Sequence, residues 1–192
     1  DANNNTATCS FTVTVNDTQI PTVTCPANMV LSNAMNTCGA VATYTTPIGT
    51  DNCSGQTTIQ TAGLTSGATF NVGVTTNTFK VTDANNNTAT CSFTVTVNDT
   101  QLPAITCPAN IVLSNTTNTC GAVATYTTPV GTDNCSGQTT IQTAGLASGA
   151  TFNVGVTTNT FKVTDAKNNT ATCSFNVTVN DTQLPSITCP AN

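Results

Sequence analysis

The 192-residue chain contains no histidine, glutamate, arginine or tryptophan, and only 6% of its residues are charged. The missing types include most side chains that enzymes use as general acids, general bases and oxyanion donors, so the composition argues against catalysis. Three lysines against eight aspartates cannot form the basic face that nucleic-acid binding requires. No apolar run approaches the ~18 residues of a membrane-spanning helix, so we predict no membrane span in this segment.

Threonine, asparagine and cysteine are abundant instead, with 47, 25 and 10 residues. Without histidine or a CxxC pair, the cysteine spacing does not fit a zinc site. Disulfides are the favoured interpretation and imply an extracellular or cell-surface location, and free buried thiols are the alternative.

An 82-residue repeat organises the chain. Residues 17–98 align without gaps to residues 99–180, and 72 of 82 positions are identical. Residues 1–16 are identical to 83–98, and residues 181–192 repeat the start of the copy at 99–110 almost unchanged. We therefore interpret 1–16 as the C-terminal strand of a preceding repeat and 181–192 as the N-terminal strand of a following one. The chain is then expected to be a window on a longer tandem array.

The apolar pattern within a repeat has a period of two residues. Phe93, Val95 and Val97 alternate with hydroxyl side chains, and Thr78–Thr82 follows the same rule. Threonine and valine favour strands, while glycine, proline, asparagine and aspartate separate the runs. The sequence predicts an all-β fold in which each repeat is a sandwich of five to seven short strands.

Each copy resembles the HYR (hyalin repeat) domain, on motifs that extend over essentially the whole chain. They are Ile105–Ile111 (ITCPANI), Cys120–Val123 (CGAV), Asp133–Cys135 (DNC), Ser148–Gly149, Phe152–Gly155 (FNVG), Val163–Ala166 (VTDA) and Ala171–Phe175 (ATCSF). Two departures are Asn153, where the family often has proline, and Asn86 and Asn168, where it often has glycine. The resemblance implies tandem immunoglobulin-like β-sandwich domains of secreted or cell-surface proteins, frequently bacterial adhesins. It implies no catalytic residues.

Each repeat has four cysteines, which allow three pairings that the sequence alone does not distinguish. An immunoglobulin-like sandwich places its first and last strands side by side in parallel, which favours a bond between the first and fourth cysteine and leaves the second with the third. The expected bonds are Cys25–Cys91, Cys38–Cys53, Cys107–Cys173 and Cys120–Cys135. Cys9 and Cys189 then have no partner within the chain.

The eight aspartates occupy only three positions of the repeat. Aspartate and asparagine close turns with their own side chains, which is the interpretation that we favour. The alternative is calcium, whose preferred ligands are such oxygens, although no D-x-D-x-D loop is present. The calcium candidates are Asp51 and Asn52 beside Asn98 and Asp99, with the equivalents Asp133 and Asn134. No other cofactor is expected.

The leading functional hypothesis is a non-catalytic stalk or filament segment of an extracellular repeat protein. Its expected partners are the adjacent identical repeats of the same chain. The alternative is a weak multivalent module that binds glycans, proteins or other filaments, and a remote one is an ice-binding threonine surface. The connection Asn98–Leu102 contains no glycine and precedes Pro103, so it is expected to be stiff. The apolar residues there, Ile20, Leu102 and Leu184, are predicted to pack between neighbouring domains.

Overall fold

The structure of the chain, a computed structural model, describes residues 1–189, in which the regular secondary structure consists of β-strands. Two matching sets of six strands follow each other along the sequence. The first set is Met29–Ser32 (β1), Gly39–Val41 (β2), Thr57–Ala62 (β3), Thr69–Asn71 (β4), Gly73–Thr82 (β5) and Thr88–Asn98 (β6). The second set is Ile111–Ser114 (β7), Gly121–Val123 (β8), Thr139–Ala144 (β9), Thr151–Asn153 (β10), Gly155–Thr164 (β11) and Thr170–Asn180 (β12).

Each set forms one four-stranded and one two-stranded sheet. The orders are β1–β6–β5–β3 with β2–β4, and β7–β12–β11–β9 with β8–β10. Strand β11 runs antiparallel to β12 and β9, whereas β12 runs parallel to β7. The first and last strands of the set are thus parallel neighbours. The predicted all-β, immunoglobulin-like sandwich is confirmed.

The hairpin β11–β12 shows how the sequence determines which strand residues are buried and where the chain turns. Phe175, Val177 and Val179 are buried, and the residues between them are partly exposed, as the period-two pattern predicts. At the turn, Asn168 has φ 69°, and its N–H donates to the Asp165 carbonyl at 3.3 Å. Asparagine tolerates this left-handed conformation, which explains how it replaces the glycine common in the family.

Aromatic rings fill the core of the second sandwich. The Phe161 and Phe175 rings stack with their centroids 6.4 Å apart, and Tyr126 meets Phe175 edge-on at 4.9 Å. The Tyr126 hydroxyl donates to the Leu146 carbonyl at 2.6 Å, so the one polar atom of this ring is satisfied. The buried cluster comprises Ala122, Ala124, Phe152, Phe161, Phe175, Val177 and Val179.

The chain forms two compact units. The first consists of Asp1–Leu31 and Val41–Thr96, and the second consists of Ser32–Ala40 together with the chain from Val97 onward. Ser32–Ala40 therefore belongs to the first repeat by sequence and to the second unit by its contacts. The part of the chain that the structure describes holds no helix long and apolar enough to cross a membrane.

Residues 1–16 differ from expectation, because they form no strand. Thr6–Asn16 has the same sequence as β6, yet Phe11 is 87% exposed while its counterpart Phe93 is 2% exposed. Strand β6 is held by β5 and β1 of its own repeat, and the equivalent strands β11 and β7 pair with β12, so residues 6–16 lack such neighbours among the described strands. Residues 181–189 likewise form no strand, and 190–192, the end of the predicted N-terminal strand, lie outside the described residues.

Candidate functional site

All eight aspartates cap turns. In every case a carboxylate oxygen accepts a hydrogen bond from the backbone N–H two residues further along, at 2.8–3.1 Å. This is the Asx turn, in which the side chain imitates a backbone turn. The turn interpretation of the aspartates is confirmed. The pairs are Asp1–Asn3, Asp17–Gln19, Asp51–Cys53, Asp83–Asn85, Asp99–Gln101, Asp133–Cys135, Asp165–Lys167 and Asp181–Gln183.

Asp165, like Asp83 and Asp1, accepts two hydrogen bonds beyond the one that all eight aspartates share. Its Oδ1 also accepts from the Asn169 N–H at 2.8 Å, and its Oδ2 accepts from the Asn169 amide at 2.7 Å. Burial raises the pKa of the carboxyl, but the hydrogen bonds from Asn169 and from the backbone of Lys167, Asn168 and Asn169 together lower the pKa below its usual value. The carboxylate of Asp165 therefore holds the turn of the β11–β12 hairpin through these hydrogen bonds.

Two equivalent clusters contain the calcium candidates. In each, two carboxylates and one cysteine sulfur lie within 4.8 Å of one another: Asp17, Asp51 and Cys53, and Asp99, Asp133 and Cys135. The predicted grouping of Asp51 with Asp99 differs from the structure, in which Asp51 lies beside Asp17 of its own repeat and Asp99 lies beside Asp133.

Two asparagines among the calcium candidates make local contacts, whereas Asp133 Oδ1 and Asn134 Oδ1 are buried and accept no hydrogen bond. The amide of Asn134 donates to the Thr37 carbonyl at 2.9 Å, and Asn98 uses its backbone oxygen to accept from the Asn33 N–H at 2.9 Å. Two carboxylates are far fewer than the six to eight oxygen ligands that calcium takes. Calcium binding at Asp51, Asn52 and their equivalents stays a prediction.

The bonds Cys25–Cys91 and Cys107–Cys173 are present, with Cα–Cα distances of 5.6 and 5.5 Å. Their position follows from the parallel ladder, in which Ile111 of β7 is level with Val177 of β12. Cys107 and Cys173 each lie four residues before those partners, so they are level with each other and within bonding range. The expected pairing of the first and fourth cysteines therefore agrees with the structure.

The third disulfide corrects the remaining pairs. Cys38 is bonded to Cys135, with Cα atoms 4.9 Å apart, and Cys53 and Cys120 are free thiols. The predicted bonds Cys38–Cys53 and Cys120–Cys135 are thus wrong. The reason is that Ser32–Ala40 belongs to the second unit by its contacts. Cys38 therefore meets a cysteine of the next repeat in the sequence.

Polar contacts hold the turn that carries Cys38. Asn33 Oδ1 accepts from the Thr100 N–H at 3.0 Å, and the Asn36 N–H donates to Gln101 Oε1 at 2.8 Å. The same bonds recur 82 residues later, from Thr182 to Asn115 and from Asn118 to Gln183, at 3.0 and 2.8 Å. These residues were not among the predicted site residues. Nothing in the sequence marks them, because residues that act within one repeat and residues that act on the next recur with the same period.

Leu102 does not pack as predicted, and the packing of Ile20 and Leu184 against neighbouring domains stays a prediction. All three are exposed, and Leu102 exposes 64% of its surface. The connection after Asn98 is fastened by its polar residues Thr100 and Gln101 instead, so Leu102 is free to face the solvent.

The family model described as HYR domain matches residues 16–97 and 98–179. The chain is 37% identical over 190 residues to hyalin of Strongylocentrotus purpuratus, which covers 95% of this chain and 16% of that protein. It is 34% identical over 194 residues to hyalin of Lytechinus variegatus, covering 97% of this chain and 36% of that protein. The chain therefore spans well under half of either relative. Both are animal proteins, which contradicts the expectation of a bacterial cell surface.

Among solved structures, the chain is similar to Drosophila N-cadherin EC1-4, at 12% identity and a TM-score of 0.36, covering 85% of this chain and 50% of that one. It is also similar to the protocadherin gamma B2 extracellular cadherin domains 1-5, at 13% identity and a TM-score of 0.40, covering 85% and 40%.

Proposed function

Because the chain belongs to the HYR domain family, we propose that it is a non-catalytic stalk segment of an extracellular, adhesion-related repeat protein. In this proposal residues 17–98 and 99–180 are successive domains of one series, and their main partners are the neighbouring repeats of the same chain. The relatives named hyalin, which are longer than this chain, support a role as part of a larger repeat protein.

The observation that carries the proposal is the bond between Cys38 and Cys135, because it joins one repeat to the next. A covalent link between successive repeats is what a series of repeats that acts as one unit would be expected to have. Three disulfides in one short chain also favour an oxidising compartment outside the cytosol.

Single-molecule stretching of the 192-residue chain from both ends tests this role. With its disulfides intact, the unfolded chain extends only along 1–25, 91–107 and 173–192, because Cys25–Cys91 and Cys107–Cys173 shortcut the rest. Reduction is expected to release roughly 440 Å, at ~3.4 Å per residue. An oxidised chain that stretches as far as the reduced one contradicts the proposal.

A glycan and protein binding screen with the same chain addresses the alternative of a weak multivalent module. A stalk segment is expected to give no saturable binding at micromolar concentration. Saturable binding that survives reduction of the disulfides would favour a ligand-binding role over the stalk.

A further inference from the structure

The four free thiols share one property. Each is the counterpart, 82 residues away, of a cysteine that is bonded in this structure. Cys120 corresponds to Cys38, and Cys53 corresponds to Cys135, while the remaining two follow the pattern of the first and fourth cysteines. These two are Cys9, the counterpart of Cys91, and Cys189, the counterpart of Cys107.

The turn that carries Cys120 already has the conformation of the bonded Cys38 turn. The threonine before each cysteine, Thr37 or Thr119, donates from its hydroxyl to the carbonyl three residues earlier at 2.8 Å. The asparagines before them, Asn36 and Asn118, have φ of 59° and 60°. The bonded geometry at Cys38 is thus present at Cys120 before any bond forms.

The surroundings of Cys53 match those of Cys135 in the same way. The Cys53 N–H donates to Asp51 at 3.1 Å, and the Cys135 N–H donates to Asp133 at 3.0 Å. The difference is burial: Cys135 is 7% exposed beneath the Cys38 turn, whereas Cys53 is exposed. Cys53 thus lies in the same turn conformation as Cys135, and the surface that the Cys38 turn buries at Cys135 is exposed at Cys53.

We propose that Cys53 bonds to the second cysteine of a preceding HYR repeat, and that Cys120 bonds to the third cysteine of a following one. Cys38–Cys135 is then one link of a disulfide series with a period of 82 residues, in which every repeat is bonded to both neighbours. This inference concerns cysteine chemistry and holds whether or not the segment serves as a stalk.

Each link forms by oxidation of two thiols. Both S–H bonds are lost and one S–S bond forms, with two protons and two electrons passing to an oxidant of the disulfide class. Oxidised glutathione is suitable, because it is reduced to two glutathione thiols in the same step.

The aspartates around Cys53 lower the reactivity of its thiol. A hydrogen bond with Asp17 raises the pKa of the thiol, and partial desolvation and the charges of Asp17, Asp51 and Asp83 raise it further. Since the thiolate is the reactive form, Cys53 is expected to react slowly with small disulfides at neutral pH. These aspartates therefore slow the oxidation of Cys53 by small disulfides while the thiol is exposed.

Thiol counting in denaturant, calibrated by intact mass after alkylation, tests the pairing in this chain. The wild-type chain is expected to show four free thiols. Cys38→Ser is expected to raise the count to five, because it releases Cys135, and the matched variant Cys53→Ser is expected to lower it to three. Pairing within repeats predicts two free thiols in the wild type and three in either variant, which would overturn the assignment.

The series itself is tested by inserting one more copy of residues 99–180 after Asn180. The insertion adds four cysteines, but the count of free thiols is expected to stay at four, because Cys120 then bonds to the third cysteine of the inserted repeat. In this longer chain Cys120→Ser is expected to raise the count to five, and Cys53→Ser to lower it to three. Six free thiols in the longer chain, or a Cys120→Ser variant with fewer thiols than its parent, would overturn the proposal.

Discussion

Gly145 and Gly149 offer a matched pair for separating backbone strain from steric exclusion. Both have φ 87°, a left-handed conformation that costs a residue with a Cβ about 1–2 kcal/mol. They differ in their surroundings. A Cβ on Gly149 meets nothing within 4 Å, whereas one on Gly145 would lie 2.0 Å from Asn159 Oδ1 and 2.7 Å from Asn159 Cα.

The clash at Gly145 cannot be relieved by rotating a side chain, because it involves the Asn159 backbone. Asn159 is fully buried, and its Oδ1 accepts from the Leu146 N–H at 2.8 Å and from the Gln142 amide at 3.2 Å. Overpacking of this kind costs about 1–3 kcal/mol, and disturbing the Leu146 bond costs about 1 kcal/mol more. We therefore expect Gly145→Ala to lose about 2–4 kcal/mol beyond the loss in Gly149→Ala.

Differential scanning calorimetry of the two variants and the wild type measures this difference. For a domain of this size, each 1 kcal/mol corresponds to a shift in melting temperature of roughly 4–8 °C. Gly149→Ala is expected to shift the transition of the second unit by about 4–16 °C and Gly145→Ala by a further 8 °C or more. Equal shifts in the two variants would refute the reasoning, since the backbone conformation alone would then account for the loss.

Three further outcomes follow from contacts in the second unit. Replacing both Cys107 and Cys173 by serine opens a loop with a sequence separation of 66 and is expected to cost about 4 kcal/mol in chemical denaturation; an unchanged midpoint would contradict this. Because the pKa of Asp165 is lower in the folded chain than in the unfolded chain, its carboxylate adds to the free energy of unfolding. This contribution is complete above pH ~4 and is lost as the pH falls through the folded pKa. The Asp165→Asn variant is therefore expected to lose less stability than the wild type when the solution is acidified, as measured by a stability–pH curve. Tyr126→Phe removes the hydroxyl bond to Leu146 and is expected to cost about 1 kcal/mol by the same denaturation assay, with no gain in stability.

The features that the sequence predicted correctly are those that depend on one repeat alone. Alternation at Phe93, Val95 and Val97 identified a strand because burial on one face of a sheet has a period of two residues. Asn168 could replace glycine because its own φ decides the turn. The pairing of Cys107 with Cys173 followed from strands of the same sandwich.

The features that were predicted wrongly depend on which copy of the repeat supplies the partner. Cys38 can meet the third cysteine of its own repeat or of the next, and a cysteine pattern that recurs every 82 residues is equally compatible with both pairings. Thr6–Asn16 and β6 have identical sequences but only one forms a strand, because a strand exists only with its neighbours. The packing of Leu102 was also predicted wrongly. Its hydrophobicity did not reveal that the polar side chains of neighbouring residues hold the segment after Asn98.

The overlap of the three disulfide loops has a consequence for survival under proteolysis. The loop closed by Cys38–Cys135 begins inside the first sandwich loop, Cys25–Cys91, and ends inside the second, Cys107–Cys173. Any single peptide bond between residues 25 and 173 is therefore spanned by at least one S–S bond, including the exposed connection around Leu102. One cut by an extracellular protease leaves the two fragments joined, and separating them requires a second cut or a reductant. Redundancy of this kind, rather than resistance to cleavage, would let the nicked chain remain covalently continuous.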